Sequence, residues 1–172
     1  SEMCIRDSTA TDFGWITALR APAIAKLAAD DGPLQMSLFD TQDLAEISHP
    51  DYPGERLIAC RNPALAAERA RKRSELLAAT DKLLAGVADR VARGTLAGAG
   101  KIGISVGKAI GKYKMGKHFH ITITDTTFTY HRDTAGIDAE AELDGIYVLR
   151  TSVESDALDP AAVVESLSLI HI

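Results

Sequence analysis

The stretch that most limits what this chain can fold into is Leu143–Ser152, LDGIYVLRTS. Asp144-Gly145 is a turn dipeptide, because glycine takes positive φ at no steric cost and a short acidic side chain can bond nearby backbone. Ile146, Tyr147, Val148 and Leu149 follow as an unbroken apolar run of strand formers. A strand without polar alternation needs cover on both faces, the environment found in the middle of an α/β sheet. Thr151 and Ser152 close the run, and Asp159-Pro160 opens a helix with Asp as N-cap and Pro at the first helical position. A turn, a doubly buried strand and a capped helix make one α/β layer. The rest of the chain is expected to feed into that layer or to be inserted before it, giving a mixed α/β (α+β) fold.

Ahead of that layer, Phe13–Leu19 mixes aromatic and β-branched residues and predicts a strand, redirected at Pro22 into a short helix over Ala23–Ala29. Trp15 is expected in the core, with base stacking as the less favoured role. Leu34–Phe39 and Leu44–Ile47 predict short strands or turns, His49–Gly54 an irregular loop with two prolines, and Arg56–Cys60 a strand. Cys60, alone once Cys4 of the leader is set aside, reads as a small core hydrophobe. Asn62-Pro63 then starts a helix that runs to about Arg93, where Gly94 stands at the C′ position. Leu65, Leu76, Leu83, Val87 and Val91, widened by Leu77 and Leu84, give it an apolar stripe, with Gly86 as the one place to bend. The cluster Arg69-Ala70-Arg71-Lys72-Arg73 on this helix is read as a solvated face, partly neutralised by Glu68 and Glu75.

From Arg90 to Thr124 the chain holds no Asp or Glu, although its net charge is −5. Seven cations lie in that stretch, and we take Lys101, Lys108, Lys112, Lys114 and Lys117 as candidate DNA contacts, since phosphate binding needs positive charge and reach. Its many glycines let backbone approach a ligand, though neither a Walker nor a dinucleotide fingerprint is present. The competing reading of this stretch is a flexible connector.

His118–Asp133 predicts a hairpin turning at Asp125-Thr126, with His120 opposite His131 and His118 opposite Asp133. One face then carries Phe119, Ile121, Ile123, Phe128 and Tyr130. The other carries His118, His120, His131, Asp133 and the threonines, which is what a hairpin with one buried face requires. Three imidazoles and a carboxylate are zinc-ligand types, but with no supporting shell in view the face is read as wet and no metal is assigned. Ala135–Leu143 predicts a short helix leading back to the starting strand.

LDGIYVLRTS followed by LDPAAVVES (Leu158–Ser166) resembles the late part of a DDE transposase from a bacterial insertion sequence. The likeness extends through GWITALRAPAI (Gly14–Ile24), LQMSLFD (Leu34–Asp40), YPGERLIACRNP (Tyr52–Pro63) and KYKMGKHF (Lys112–Phe119), and so covers nearly all of Thr11–Ser166. The order and spacing of the pieces carry it, since no single piece is diagnostic. The resemblance implies a partial RNase H-like catalytic sheet with a helical and β-hairpin insertion, at about residues 34–142. It also implies DNA cutting and joining by three carboxylates that hold two divalent metals, Mg2+ or Mn2+. The second acid would lie in an Asp-Arg-Gly-like motif shortly before Trp15, and the third on a helix beyond a Tyr just after Ser166. No catalytic acid is therefore assigned on this chain, and no metal would be bound by it. Asp144 and Asp159 are turn and cap residues, and Glu154 and Glu165 lack motif support. Expected partners are transposon-end and target DNA and, in the parent protein, a second copy.

Two further expectations concern the ends and the setting. Met3–Ser8, MCIRDS, and Leu167–Ile172, LSLIHI, resemble the two strand translations of a transposon mosaic-end sequencing adapter, so residues 1–8 and 167–172 are set aside from the native 9–166. No apolar run approaches the roughly 20 residues of a membrane span, no signal peptide is visible, and a lone Cys suits a reducing compartment, so a cytoplasmic protein is expected. The competing class is a self-contained, non-catalytic DNA-binding or oligomerisation module.

Overall fold

A computed structural model of the chain describes residues 13–29 and 32–170, with backbone alone at 168–170. The fold is mixed α/β, and its residues divide into two compact units, one made of 13–61 with 146–170 and the other of 62–145. The adapter-like leader lies outside the described residues. No helix among those described is long and apolar enough to cross a membrane.

In the sheet unit four strands run β1 (Ile16–Ala18), β6 (Ile146–Thr151), β3 (Arg56–Arg61) and β2 (Leu44–Ile47) in spatial order, all neighbours antiparallel. The starting strand, β6, is thus central, paired with β1 on one side and β3 on the other. Its period of two sorts the apolar run into two cores. Ile146 and Val148 join Leu57, Ala59, Phe39, Ile24 and Leu27 on one face, beneath α1 (Ala21–Leu27) and the 3-10 turn Met36–Phe39. Leu149 joins Ile58, Cys60 and Val163 on the other, beneath α5 (Pro160–Ile170). Asp159 Oδ1 accepts from the Ala162 N–H at 2.8 Å, which is the expected cap. Leu167, the first of the residues read as adapter-like, continues α5 and packs against this second core.

One expectation is corrected below. Strands β2 and β3 belong to this sheet, and the second compact unit is 62–145. Trp15 is not in either core: it is 38% exposed just before β1, with the Arg150 guanidinium 5.1 Å from its ring centre. A sheet edge leaves an indole one covered face, and a cation supplies the cover. Cys60 is buried as expected, and burial pushes its thiol up to about 11.

The second unit opens on α2 (Pro63–Ala92), a single helix with no break at Gly86. The Asn62 side chain accepts from the Leu65 N–H at 3.2 Å, and Gly94 has φ +74 just past the end, the two signals read in the sequence. Only its second half is buried: Leu77, Thr80, Leu84, Val87 and Val91 face inward, while Leu65 lies outside the core. The acid-free stretch, open to a flexible-connector reading, forms α3 (Ala99–Lys112). Four internal glycines each cost about 1 kcal/mol against alanine, and Ile102, Val106 and Ala109 offset this by packing on α2.

The hairpin β4 (Phe119–Ile123) and β5 (Phe128–Arg132) has the register expected, His120 opposite His131 and Ile123 opposite Phe128. The Thr124 N–H donates to Thr127 O across the turn. Asp125 also reaches back to α3, accepting from the Gly98 N–H with its carbonyl and from the Ala99 N–H with Oδ1. The first acid after the basic stretch thus caps the helix within it. Helix α4 (Thr134–Glu142) completes the unit, capped by Asp133 Oδ1 on the Gly136 N–H.

Candidate nucleic-acid interface

Helical geometry arranges the candidate lysines before any contact is considered. At 3.6 residues per turn, Lys101, Lys108 and Lys112 of α3 fall on one face, with Ser105 between them. They span about 16 Å along the axis. All three are exposed, and none has an ion-pair partner among the described residues. The Lys112 ammonium lies over the Tyr113 ring at 5.3 Å. The other two candidates are placed differently. Lys114 follows the helix in the left-handed region, φ 57, and Lys117 sits in the 3-10 turn Gly116–His118, where its ammonium is 2.9 Å from Glu140 Oε2. Five lysines close in sequence are thus a row of three and two separate positions.

Across from the row, α2 contributes two cations that were not among the candidates. Lys82 and Arg90, two helical turns apart, line an open groove of about 660 Å³ together with Lys108 and Lys112. Leu83, Val87 and Ala109 form an apolar floor, and the small residues Gly86 and Ser105 leave it open. No carboxylate lines it. The two acids adjacent in sequence to this bank, Asp81 and Asp89, are held by Arg132 and, at 2.6 Å, by Arg93. Lys82 could have been found from its spacing to Gly86 and Arg90, i, i+4, i+8 on one helix face. It escaped notice because it lies before the acid-free stretch. Arg90 was within that stretch, but only the packing of α3 against α2 brings it opposite lysines.

No protein-family model, curated protein or solved structure matches the chain.

The remaining basic cluster is partly used in ion pairs. Arg73 donates from Nη1 and Nη2 to both oxygens of Asp144, the first at 2.9 Å, with the two side chains 10% and 11% exposed. Arg71 pairs with Glu75 one turn on, at 2.7 Å. Asp144, read as a turn residue, is therefore also the anchor of a partly buried ion pair.

The histidine face is divided. His120 and His131 remain exposed with ring centres 4.9 Å apart, and Asp133 Oδ1 is 3.5 Å from His120 Nε2. His118 lies instead in the turn before β4, 3% exposed, with Nε2 3.1 Å from Glu140 Oε2. Burial holds its pKa below the ordinary value, against the opposing pull of Glu140. Among the described residues no three His, Cys, Asp or Glu side chains converge as a metal site would need. Asp43, Glu46, Asp51, Glu55, Asp81 and Asp144 are held by arginine or lysine, and Asp125, Asp133 and Asp159 cap helices.

Proposed function

We propose that this chain is an interior part of a DDE-type DNA transposase, and that the lysine row of α3 holds the backbone of its DNA. The observation that carries the DNA role is the row itself: Lys101, Lys108 and Lys112 on one exposed face without acidic partners. Lysines grouped on one face without carboxylates repel one another locally, and phosphate is a ligand that neutralises them. The transposase assignment rests on the order of GWITALRAPAI, LQMSLFD, YPGERLIACRNP, KYKMGKHF and LDGIYVLRTS along the chain. On this reading the strands around β6 are part of an RNase H-like sheet, and the unit 62–145 is an insertion that grips DNA. The catalytic carboxylates and their Mg2+ or Mn2+ ions belong to sequence outside these residues, and the parent acts as a dimer on transposon ends. The chain alone is inert in cutting and joining.

The first test is a salt titration of full-chain binding to a labelled DNA duplex by fluorescence anisotropy. Log affinity should fall with log salt at a slope at least as steep as about −2.7, the value for the row's three lysines on three phosphates. Undetectable or salt-independent binding removes the DNA role. The transposase assignment is tested by reading the flanking DNA: Asp-Arg-Gly upstream, and a Tyr followed by a helical Glu downstream, are expected. Unrelated flanks would favour a self-contained DNA-binding module instead, a reading supported by the separate hydrophobic core of 62–145.

A further inference from the structure

We infer that the groove between α2 and α3 is a channel for the phosphodiester backbone of one nucleic-acid strand, with Lys82 and Arg90 as its second bank. The inference rests on the DNA-binding reading of α3 and extends it to residues on another helix. Three features of the groove specify the ligand. Its banks are cationic on both sides, Lys82 and Arg90 facing Lys108 and Lys112, with no carboxylate in the lining. A single anion would need one such cluster, whereas the lysine row continues past the groove to Lys101, about 16 Å from Lys112 along the helix. Successive phosphates of one strand rise about 3.4 Å along a duplex axis, so a row of that length faces several phosphates and not one. The floor of Leu83, Val87 and Ala109 is apolar, which suits the sugar face of a backbone and offers no hydrogen bonds by which to read a base. Recognition here is of backbone and not of sequence.

The strand can be single or one strand of a duplex, and the two are separated by using both as probes. Labelled single-stranded and duplex oligonucleotides of the same mixed sequence are titrated with the full chain across a salt series. For Lys82→Gln/Arg90→Gln the expected result is at least a tenfold loss of affinity at low salt. Its salt slope should become shallower by about 1.8 on a duplex, or about 1.4 on a single strand. The probe that shows this loss identifies the source. The matched control is Arg69→Gln/Lys72→Gln, which removes the same charge from an exposed part of α2 and should change affinity less than twofold.

A second variant reaches the same question without altering charge. A Cβ at Gly86 would meet nothing within 4 Å, so Gly86→Leu fits the helix while its side chain fills the groove. It should melt no lower than the parent, since leucine is the better helix former, and should bind at least fivefold more weakly. Equal losses in the groove and control pairs would mean attraction by net charge alone and would overturn the channel. So would unchanged binding by both groove variants while Lys101→Gln/Lys108→Gln/Lys112→Gln loses it, a result that leaves the α3 reading intact. Failure of the unmodified chain to bind either probe removes both readings together.

Discussion

In the sheet unit, Arg56 donates to both oxygens of Glu46 and to the carbonyls of Val153 and Leu158, and Arg150 donates to both oxygens of Glu55 while lying against Trp15 and Tyr52. Arg61 is taken by Asp43. In the helical unit, Lys82, Arg90, Lys101, Lys108 and Lys112 have no acidic partner among the described residues and stand on exposed helix faces. The same side-chain chemistry joins strands and loops in the sheet unit, whereas in the helical unit these five cations are left available beside others that are paired, Arg71, Arg73, Arg93, Lys117 and Arg132. Position in the fold makes the difference. Arginines at the ends of β3 meet carboxylates on or just before β2, Glu46 and Asp43, whereas α3 and its flanks contain no carboxylate from Arg90 to Thr124. Charge that is paired holds structure, and charge that is unpaired waits for a ligand.

The contrast breaks at Arg73, a cation of the helical unit that is paired and partly buried. Replacing it with alanine strands the Asp144 carboxylate beside the Gly145 turn, and the expected cost is about 3–5 kcal/mol in a denaturant melt. Arg73→Met/Asp144→Leu should recover most of that loss, because replacing both partners removes the orphaned charge. If Arg73→Ala melts like the parent, the pair is only a surface contact. In the sheet unit the corresponding weight is carried by packing. Leu149→Ala opens a cavity among Ile58, Cys60 and Val163, at a cost of about 3 kcal/mol. It should leave the salt slope of DNA binding unchanged. A changed slope in the folded variant would mean that the sheet unit contributes charge contacts of its own.

How much of this could be read from the residues follows the same division. The β6 strand, the caps at Asn62 and Asp159, the Gly94 and Gly145 turns and the hairpin register are all local, set by patterns within a few residues, and all are present. The antiparallel sheet order was not legible, because the doubly buried run of β6 specifies cover on both faces and not the direction of its neighbours. Helix α3 was obscured by its glycines, whose low helix propensity is overridden by the Ile102–Val106–Ala109 stripe packing on α2. The lysines were visible as charge, but their division into a row of three, a left-handed Lys114 and a Glu140-bound Lys117 needed the helix boundary. Lys82 and Arg90 needed the packing of two helices. Trp15 was misplaced because an aromatic in a strand pattern does not say whether that strand lies at an edge.

The smallest effect expected tests whether the helical unit's buried histidine behaves as structure or as surface. His118 is enclosed by the turn before β4 and by α4, and the charged groups around it are Glu140, Lys117, Arg73 and Asp133. Burial disfavours its cation and lowers its pKa from the ordinary 6.5, with Lys117 and Arg73 acting in the same direction and Glu140 and Asp133 against it. The unfolded chain therefore takes up a proton on this histidine at a higher pH than the folded chain. The stability it contributes is present above about pH 6.5 and is lost as pH falls through the lower folded value. Melting temperature should decline over that acidic window, and His118→Gln should flatten the decline while lowering the plateau above it by less than Arg73→Ala does. A steeper decline in His118→Gln would assign the acid sensitivity to the carboxylates. A rise in melting temperature of the unmodified chain over the same window would show that the Glu140 contact outweighs burial, and that His118 is held as a cation like the paired arginines of the sheet unit.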